Sequence, residues 1–338
     1  MLNKLALFMV AALAINAQAS VKVDYRQDLK TVTTDEKSST PGYGAFQAQT
    51  LRVDMKGNIN DSLSARARFK LNKNDQAATK NEKLSDFVDY AYINNKMSDS
   101  LTIRYGKMFS EIGGTEALSS SADMYLVSNT FNNHALYLSG INAMYKMGDN
   151  QFQFLALNQP TDILKSSKAN QKALMTGIVY SGSFMDKMIQ PKVSYHTAGR
   201  PDLGTDSKSN FIAVGAKFDL GTYSIDFDQL MNTWVKSTSA GALATKDDSS
   251  TEMVVTARMK GDNWSPTFKY VSRADKAQDV DSDKYASMGL AAEYVPVKGE
   301  DFRYHLAYNS ITKTTAADVK TTDTEIYLGV RLAMDVLK

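Results

Sequence analysis

Cysteine is absent from the 338-residue chain, which excludes disulfides and thiolate metal sites and leaves the redox compartment undetermined. An excess of one charge is lacking too, because 39 Lys and Arg residues stand against 37 Asp and Glu residues. The resulting net charge of +2 does not indicate a nucleic-acid partner or binding to an anionic membrane surface.

Histidine is scarce as well, since only His134, His196 and His305 are present and they lie in separate segments. The sequence has no zinc-ligand spacing, no phosphate-binding glycine motif and no nucleophile elbow. We therefore predict that the protein is not an enzyme, uses no cofactor and holds no metal.

Long hydrophobic runs are missing except at the N-terminus. There, residues 5–15 form an apolar stretch that follows Lys4 and precedes the sequence Ala-Gln-Ala ending at Ala19. This order is typical of a cleaved secretory signal peptide. The alternative, a membrane helix, needs a longer run to cross a hydrocarbon core of roughly 30 Å. We predict a signal peptide over residues 1–19 and a single domain over residues 20–338.

Alternating segments of about ten residues, the length of a strand that crosses a membrane, make up most of the remaining chain. In residues 63–71, 302–309 and 324–336, apolar residues take nearly every second position, with polar or charged residues between them. Residues two apart share one face of a strand, so each of these strands has an apolar face and a polar face. If such strands enter a membrane, they must close into a barrel, because only helices and closed barrels satisfy every backbone group in lipid.

Short polar turns alternate with longer loops rich in Ser, Thr, Asp and Lys, the pattern of an outer-membrane barrel. The short turns are predicted at residues 57–61, 95–100, 148–150, 186–188, 219–221, 261–263 and 298–300. The longer loops are predicted at residues 31–42, 74–83, 110–133, 160–171, 199–209, 237–249, 274–283 and 312–323. This order predicts an all-β fold, a transmembrane antiparallel β-barrel of about sixteen strands with the short turns in the periplasm.

A soluble two-layer sandwich is the main alternative fold. The regular order of short and long connections argues against it. Aromatic residues, 10% of the chain, also fall near many strand ends, a placement that suits the two membrane interfaces. Both features favour the barrel.

The longest connection, residues 110–133, follows two strand-like runs at residues 84–94 and 101–109. Loops of this length are usually functional or disordered. We predict that this third loop folds back into the lumen of the barrel and narrows it.

Two motifs around the start of this loop resemble a known family. Residues 89–93 (Asp-Tyr-Ala-Tyr-Ile) and 101–107 (Leu-Thr-Ile-Arg-Tyr-Gly-Lys) are similar to the strand pair before the third loop of Gram-negative outer-membrane porins. Residues 111–114 (Glu-Ile-Gly-Gly) resemble the Pro-Glu-Phe-Gly-Gly turn of general porins, with Ser110 in place of the proline. The same stretch also resembles the phosphate-selective porins. One departure is the end of the chain, Asp-Val-Leu-Lys, where porins usually carry a final aromatic residue.

The resemblance implies a water-filled channel in the cell outer membrane, through which small hydrophilic solutes and ions diffuse passively. It also implies outer-membrane lipid around the barrel and a homotrimeric assembly.

A charged constriction is the further implication, because a barrel of this size has a lumen too wide for its own side chains to fill. The basic side is predicted on the early strands, at Arg52, Arg66, Arg68, Lys70 and Arg104. The acidic side is predicted on the third loop, at Glu111, Glu116 and Asp123. Opposed charges of this kind set a field across a pore. Inward bases outnumber inward acids along the strands, so we expect a weak preference for anions.

Other functions stay open at this point. The arginines could simply solvate a wide lumen, or the barrel could be a channel selective for one substrate, such as phosphate or a sugar. It could also be an adhesin or a structural anchor, which would pass no solute. The acidic run at residues 279–283 lacks the glycine and the distal glutamate of an EF-hand loop, so we expect a solvated loop there rather than a Ca²⁺ site.

Overall fold

The computed structural model describes most of the chain after the predicted signal peptide. The described residues are 19–35, 41–72, 87–133, 136–158, 174–199, 208–235, 248–277 and 280–337. The predicted signal peptide lies outside them, apart from Ala19. Within these ranges, no helix is both long and apolar enough to cross a membrane.

Sixteen antiparallel strands form one closed barrel, in which each strand pairs with its neighbours in the chain and β1 pairs with β16. The prediction of about sixteen strands in an antiparallel barrel is confirmed. The strands are β1 Ser20–Thr33, β2 Tyr43–Asn58, β3 Leu63–Lys70, β4 Val88–Lys96, β5 Leu101–Phe109, β6 Tyr137–Met147, β7 Asn150–Asn158, β8 Leu174–Ser181, β9 Ile189–Gly199, β10 Lys208–Asp219, β11 Tyr223–Val235, β12 Asp248–Met259, β13 Trp264–Ala277, β14 Val280–Tyr294, β15 Asp301–Thr314 and β16 Lys320–Leu337.

The seven short turns fall where the sequence predicts them, between β2 and β3 and then between every second pair of strands up to β14 and β15. The last two loops are shorter than predicted. Pairs such as Lys276 with Asp281 and Thr314 with Lys320 continue the strands into residues 274–283 and 312–323. The loop predictions there were wrong because a polar composition was taken for a loop, whereas ladder hydrogen bonds come from the backbone.

The acidic run at residues 279–283 is therefore mostly strand rather than solvated loop, with residue 279 outside the described residues. Asp281 lies 3.4 Å from Lys284, and Asp283 lies 2.7 Å from Lys313. In the part of the chain that the structure describes, no group of three or more acidic, histidine or cysteine residues could hold a metal ion.

The two faces of the sheet differ as predicted on β15 and β16. Leu306 and Leu328 lie on the apolar face with exposed fractions of 55% and 57%. His305 and Arg331 are buried on the opposite face, which we call the polar face of the barrel. Alternation along these strands therefore separates the two environments.

On β2 to β4 part of the apolar face is more buried than it is on β15 and β16. Met55, Ala67, Phe69 and Val88 are buried there and form one cluster with partly buried neighbours such as Phe87. Met55 pairs with Ala67, and Phe69 pairs with Val88, across adjacent strands. These side chains pack on one another, unlike the exposed leucines of β15 and β16.

At the end of the barrel where the third loop begins, β5 and β6 continue as a two-stranded ribbon beyond their pairings with β4 and β7. These two strands stay paired up to Phe109 and Tyr137. The pairing of β4 with β5 ends at Lys107, and the pairing of β6 with β7 begins at Gly140. Among the strand pairings of the described residues, the end of the ribbon therefore has no further partner strand.

Two glycines stand where the ribbon leaves its neighbours. Gly106 has a φ of +122°, and a Cβ there would overlap the carbonyl oxygen of Ala91 on β4. A Cβ at Gly140 would overlap the carbonyl oxygen of Ala156 on β7. At Gly106 only glycine tolerates both the positive φ and the close approach of backbone, whereas at Gly140 the close approach alone excludes a side chain.

We predict that Gly106→Ala destabilises the barrel, because the added methyl meets backbone that cannot give way. Overpacking of this kind costs about 1–3 kcal/mol. The free energy of unfolding, measured by urea titration of protein refolded in lipid vesicles, checks this. Gly199→Ala is the matched control, since a Cβ there meets nothing within 4 Å, and equal stability of the two variants would contradict the prediction.

Candidate pore constriction

The third loop, residues 110–133, contains short helical pieces rather than a featureless connection. They are two 3-10 turns, Glu116–Leu118 and Ser121–Asp123, and the short helix α1, Asn129–Asn133. Glu111, two residues after the end of β5, takes a left-handed conformation with φ of +58°. Its backbone turns sharply where the segment leaves the ribbon.

Each acidic residue predicted on the loop is paired with a base on a distant strand. The Lys192 Nζ on β9 donates to Glu111 over 3.0 Å. Lys269 on β13 binds Glu116. Asp123 binds Arg331 on β16 and lies 3.2 Å from an Arg303 nitrogen on β15.

The predicted basic wall lies on β2, β3 and β5, and it is held by a different set of partners. Arg66 donates to Asp54 over 2.9 Å. Arg68 donates to Asp89 over 3.1 Å, and Arg52 lies 3.5 Å from the same carboxylate.

The two remaining members of the wall are Lys70 on β3 and Arg104 on β5. Lys70 lies opposite Arg52 in the pairing of β3 with β2. Arg104 on β5 donates to the side-chain oxygen of Asn94 over 2.8 Å, so its hydrogen-bond partner there is neutral.

The three loop acids are thus bound to bases outside the predicted wall. From the sequence we expected the two sets to oppose one another across an open section of the lumen. The structure brings Glu111, Glu116 and Asp123 together with bases of β9, β13, β15 and β16. Their charges are compensated locally, which leaves the arginines of β3 and β5 as a separate electrostatic feature.

Tyrosine rings stack under these arginines, a feature that the sequence analysis missed. The guanidinium carbons of Arg66 and Arg68 lie 4.2 and 4.1 Å from the centre of the Tyr90 ring, and Arg104 lies 4.1 Å from Tyr92. Cation–π contacts of this kind hold a guanidinium without neutralising it. The signal in the sequence is the alternation of Tyr90 with Tyr92 and of Arg66 with Arg68. The pairing of β3 with β4 sets these two pairs opposite one another.

A second set of contacts holds the middle of the loop against β1 and β15. Arg26 donates to the carbonyl oxygens of Ala122 and Met124 over 3.2 and 3.0 Å, and its guanidinium lies 4.3 Å from the centre of the Tyr125 ring. Asn309 donates to the Tyr125 carbonyl over 2.7 Å. No local sequence pattern joins residues so far apart in the chain.

The Tyr125 hydroxyl donates to Glu293 over 2.8 Å. Burial is the largest cause that raises the pKa of Tyr125 above its ordinary value, and the nearby Glu293 carboxylate raises it further. The phenol therefore stays neutral and keeps its role as donor.

Apolar packing completes the attachment of the loop. Ile112 and Leu126 belong to one buried cluster with Leu157, Phe211 and Val254 of the surrounding strands. Burial of such side chains is favourable by about 1.5–3 kcal/mol each relative to exposure. The loop therefore has an apolar contact with the wall as well as charged ones.

A cavity of about 710 Å³ lies at the end of the barrel that carries the short turns. Its lining includes Ser64, Asn94 and Thr102. Ser64 lies two residues from Arg66, and Thr102 lies two residues from Arg104, on the same face of the strand in each case. Arg66 and Arg104 are therefore the next residues on those faces beyond the lining of the cavity.

Solved structures share this architecture. The outer-membrane channel DcaP of Acinetobacter baumannii superposes with a TM-score of 0.72 at 13% identity, covering 95% of this chain and 98% of that one. An anion-selective porin from Comamonas acidovorans gives 0.68 at 10% identity, with 94% and 100% covered. OmpF of Salmonella typhi gives 0.64 at 14% identity, with 95% and 98% covered. At these identities the likeness shows the fold alone.

Sequence comparison supplies the family. No curated protein sequence gives a significant match to the chain. The model of the family described as phosphate-selective porin O and P matches residues 15–261, more than half of the chain. The chain therefore belongs to the family of phosphate-selective porins O and P, and it is an outer-membrane β-barrel channel protein.

Proposed function

We propose that this channel is a water-filled pore for the passive diffusion of small hydrophilic solutes and ions, with a weak preference for anions. The family and the fold support a channel rather than an enzyme. In this proposal the polar face lines the lumen and the apolar face meets outer-membrane lipid.

We propose further that the third loop narrows this lumen. A sixteen-stranded wall leaves an aqueous channel that its own side chains do not fill. The loop starts between β5 and β6, yet its contacts reach Lys192 on β9 and Arg26 on β1, on opposite sides of the barrel order. A segment bound to the polar face over that distance would lie across the bore.

One observation carries the anion preference, namely the neutral surroundings of Arg104. Its guanidinium is held by the Asn94 amide and the Tyr92 ring rather than by a carboxylate in these contacts. Thr102, two residues before Arg104 on the same face of β5, lines the cavity, while Glu111 and Asp123 are bound by bases elsewhere. A fixed positive charge next to the water path attracts anions and repels cations.

Phosphate selectivity is a second candidate, favoured by the family and by the guanidinium groups of Arg66, Arg68 and Arg104 on one wall. Guanidinium groups bind phosphate oxygens in paired hydrogen bonds. The phosphate-selective candidate differs from simple diffusion in one measurable respect, since bound phosphate would occupy the pore.

The partners are proposed on the same basis. They are small hydrophilic solutes and ions, outer-membrane lipid, and two further copies of the chain in a homotrimer. A structure of OmpT from Vibrio cholerae with this fold is described as a trimer form, which supports that assembly. We also propose that residues 1–19 direct export through the inner membrane and are then removed.

We predict that Arg104→Gln shifts the channel toward cations. A unit charge about 8 Å from an ion in water changes its energy by about 0.5 kcal/mol, so the anion-to-cation permeability ratio should fall roughly twofold to sixfold. Reversal potentials across a planar bilayer under a salt gradient measure the ratio, at low salt because screening acts over about 10 Å at 0.1 M.

Lys284→Gln is the matched control for this substitution. It removes the same charge from β14, across the barrel order from β5, where the exposed Lys284 pairs with the exposed Asp281 over 3.4 Å. We expect its permeability ratio to equal that of the unaltered protein. An equal ratio in Arg104→Gln and the unaltered protein would argue against a selective role for Arg104.

Phosphate block separates the two candidate functions. Inorganic phosphate added at millimolar concentration should reduce the chloride current if phosphate binds at the arginines, whereas simple diffusion leaves the current unchanged. In the first case, Arg104→Gln together with Arg68→Gln should weaken the block. Liposomes that take up neither sugars nor ions would instead indicate an anchor and reject both candidates.

A further inference from the structure

Two buried carboxylates on the polar face bind the loop by its backbone. Asp228 on β11 accepts hydrogen bonds from the amide nitrogens of Thr115 and Glu116 over 2.6 and 2.8 Å. Glu252 on β12 accepts from the amide nitrogens of Asn129 and Thr130, each over 2.8 Å. Both carboxylates are 1% exposed.

These bonds differ in kind from the ion pairs of Glu111, Glu116 and Asp123. An ion pair fixes the end of a flexible side chain, whereas a bond to consecutive amides fixes the position of the peptide itself. Charge-assisted bonds to a carboxylate are also shorter and stronger than neutral ones. The two carboxylates therefore hold the loop backbone at two points, before and after its most exposed part.

Space for one of these carboxylates is reserved by glycine on both sides. A Cβ at Gly114 on the loop or at Gly215 on β10 would overlap the Asp228 carboxylate. The Thr115 hydroxyl adds a third hydrogen bond to Asp228 over 2.9 Å. The loop and two strands are thus shaped around a single carboxylate.

Leu118 lies between the two attachment points and is 60% exposed, unlike its neighbour Glu116, which is buried. A side chain that projects from an otherwise buried loop faces open space. Movement of the backbone at this residue would change the free cross-section beside it.

We propose that Asp228 and Glu252 are positioning residues that set the aperture of the channel by fixing the loop backbone. The aperture part of this inference rests on the proposed function, in which the loop borders the bore. The attachment of the backbone does not depend on it.

A spin label at Leu118 tests the attachment directly. The chain has no cysteine, so Leu118→Cys gives a single labelling site in the full-length protein reconstituted in lipid. We expect the label to be more mobile in Asp228→Asn combined with Glu252→Gln than in the otherwise unaltered protein, because an exposed label reports the motion of the backbone that carries it. An amide presents one acceptor oxygen where the carboxylate had two, so each substitution frees at least one amide.

Asp54→Asn is the matched control, because Asp54 is a carboxylate of the polar face that binds Arg66 rather than the loop. Its label spectrum should match that of the otherwise unaltered protein. Heat-modifiable gel migration verifies that each variant is folded, and Asp228→Asn alone replaces the double variant if that does not fold. An unchanged spectrum in the folded double or single variant would overturn the proposal.

Gly215→Ala tests the aperture without changing any charge. We expect it to displace the Asp228 carboxylate, mobilise the label and increase the fluctuation of the open-channel current, while the reversal potential stays unchanged. Gly199→Ala should have none of these effects. A mobile label with an unchanged current in a conducting channel would refute the aperture role.

The two proposals fail in different ways. If the unaltered protein passes no current, the proposed channel function is rejected, and the label spectra still decide whether the carboxylates hold the loop.

Discussion

The pairing of β1 with β16 is the constraint on which the rest of the structure depends. It runs from Val21 opposite Leu337 to Thr33 opposite Thr324 and closes the ring. In lipid, an open edge would leave a row of backbone donors and acceptors unsatisfied, at a cost of several kcal/mol for each group. Closure removes that edge and also separates an inner face from an outer one, so charged residues on the inner face must find partners among themselves and the loop.

Buried bases on the polar face, such as Lys192, Lys269 and Arg331, meet this requirement by pairing with carboxylates of the loop. Lys192 and Arg331 are almost fully buried, and each has a carboxylate partner on the loop. Breaking such a pair by removing one partner leaves a buried charge uncompensated, which is strongly destabilising. The pairs that neutralise these buried bases therefore also hold the loop, so charge balance inside the closed barrel contributes to the position of the loop.

Much of the fold could be predicted from the sequence because its signals are local. Alternation over about ten residues and short polar turns identify strands one at a time, and the strand count and all seven turns follow from them. The loops at residues 274–283 and 312–323 could not be bounded in this way, since their side chains are polar whether or not the backbone is paired. The partners of the loop acids could not be predicted from the sequence for another reason. Glu116 and Lys269 are 153 residues apart, and Asp123 and Arg331 are 208 apart, and no local pattern records which strand faces which part of the loop.

The roles of the charged residues follow from geometry rather than from composition. Acids on the loop and bases on the early strands look like two opposed sets when only their signs are known. Once Glu116 is bound to Lys269, and Asp123 to Arg331, the loop acids serve attachment and contribute little net field. Arg104 is held instead by an amide and a ring, and neither of these partners carries a negative charge. In the proposed channel, attachment and selectivity therefore belong to different residues, so either property could change in evolution without loss of the other.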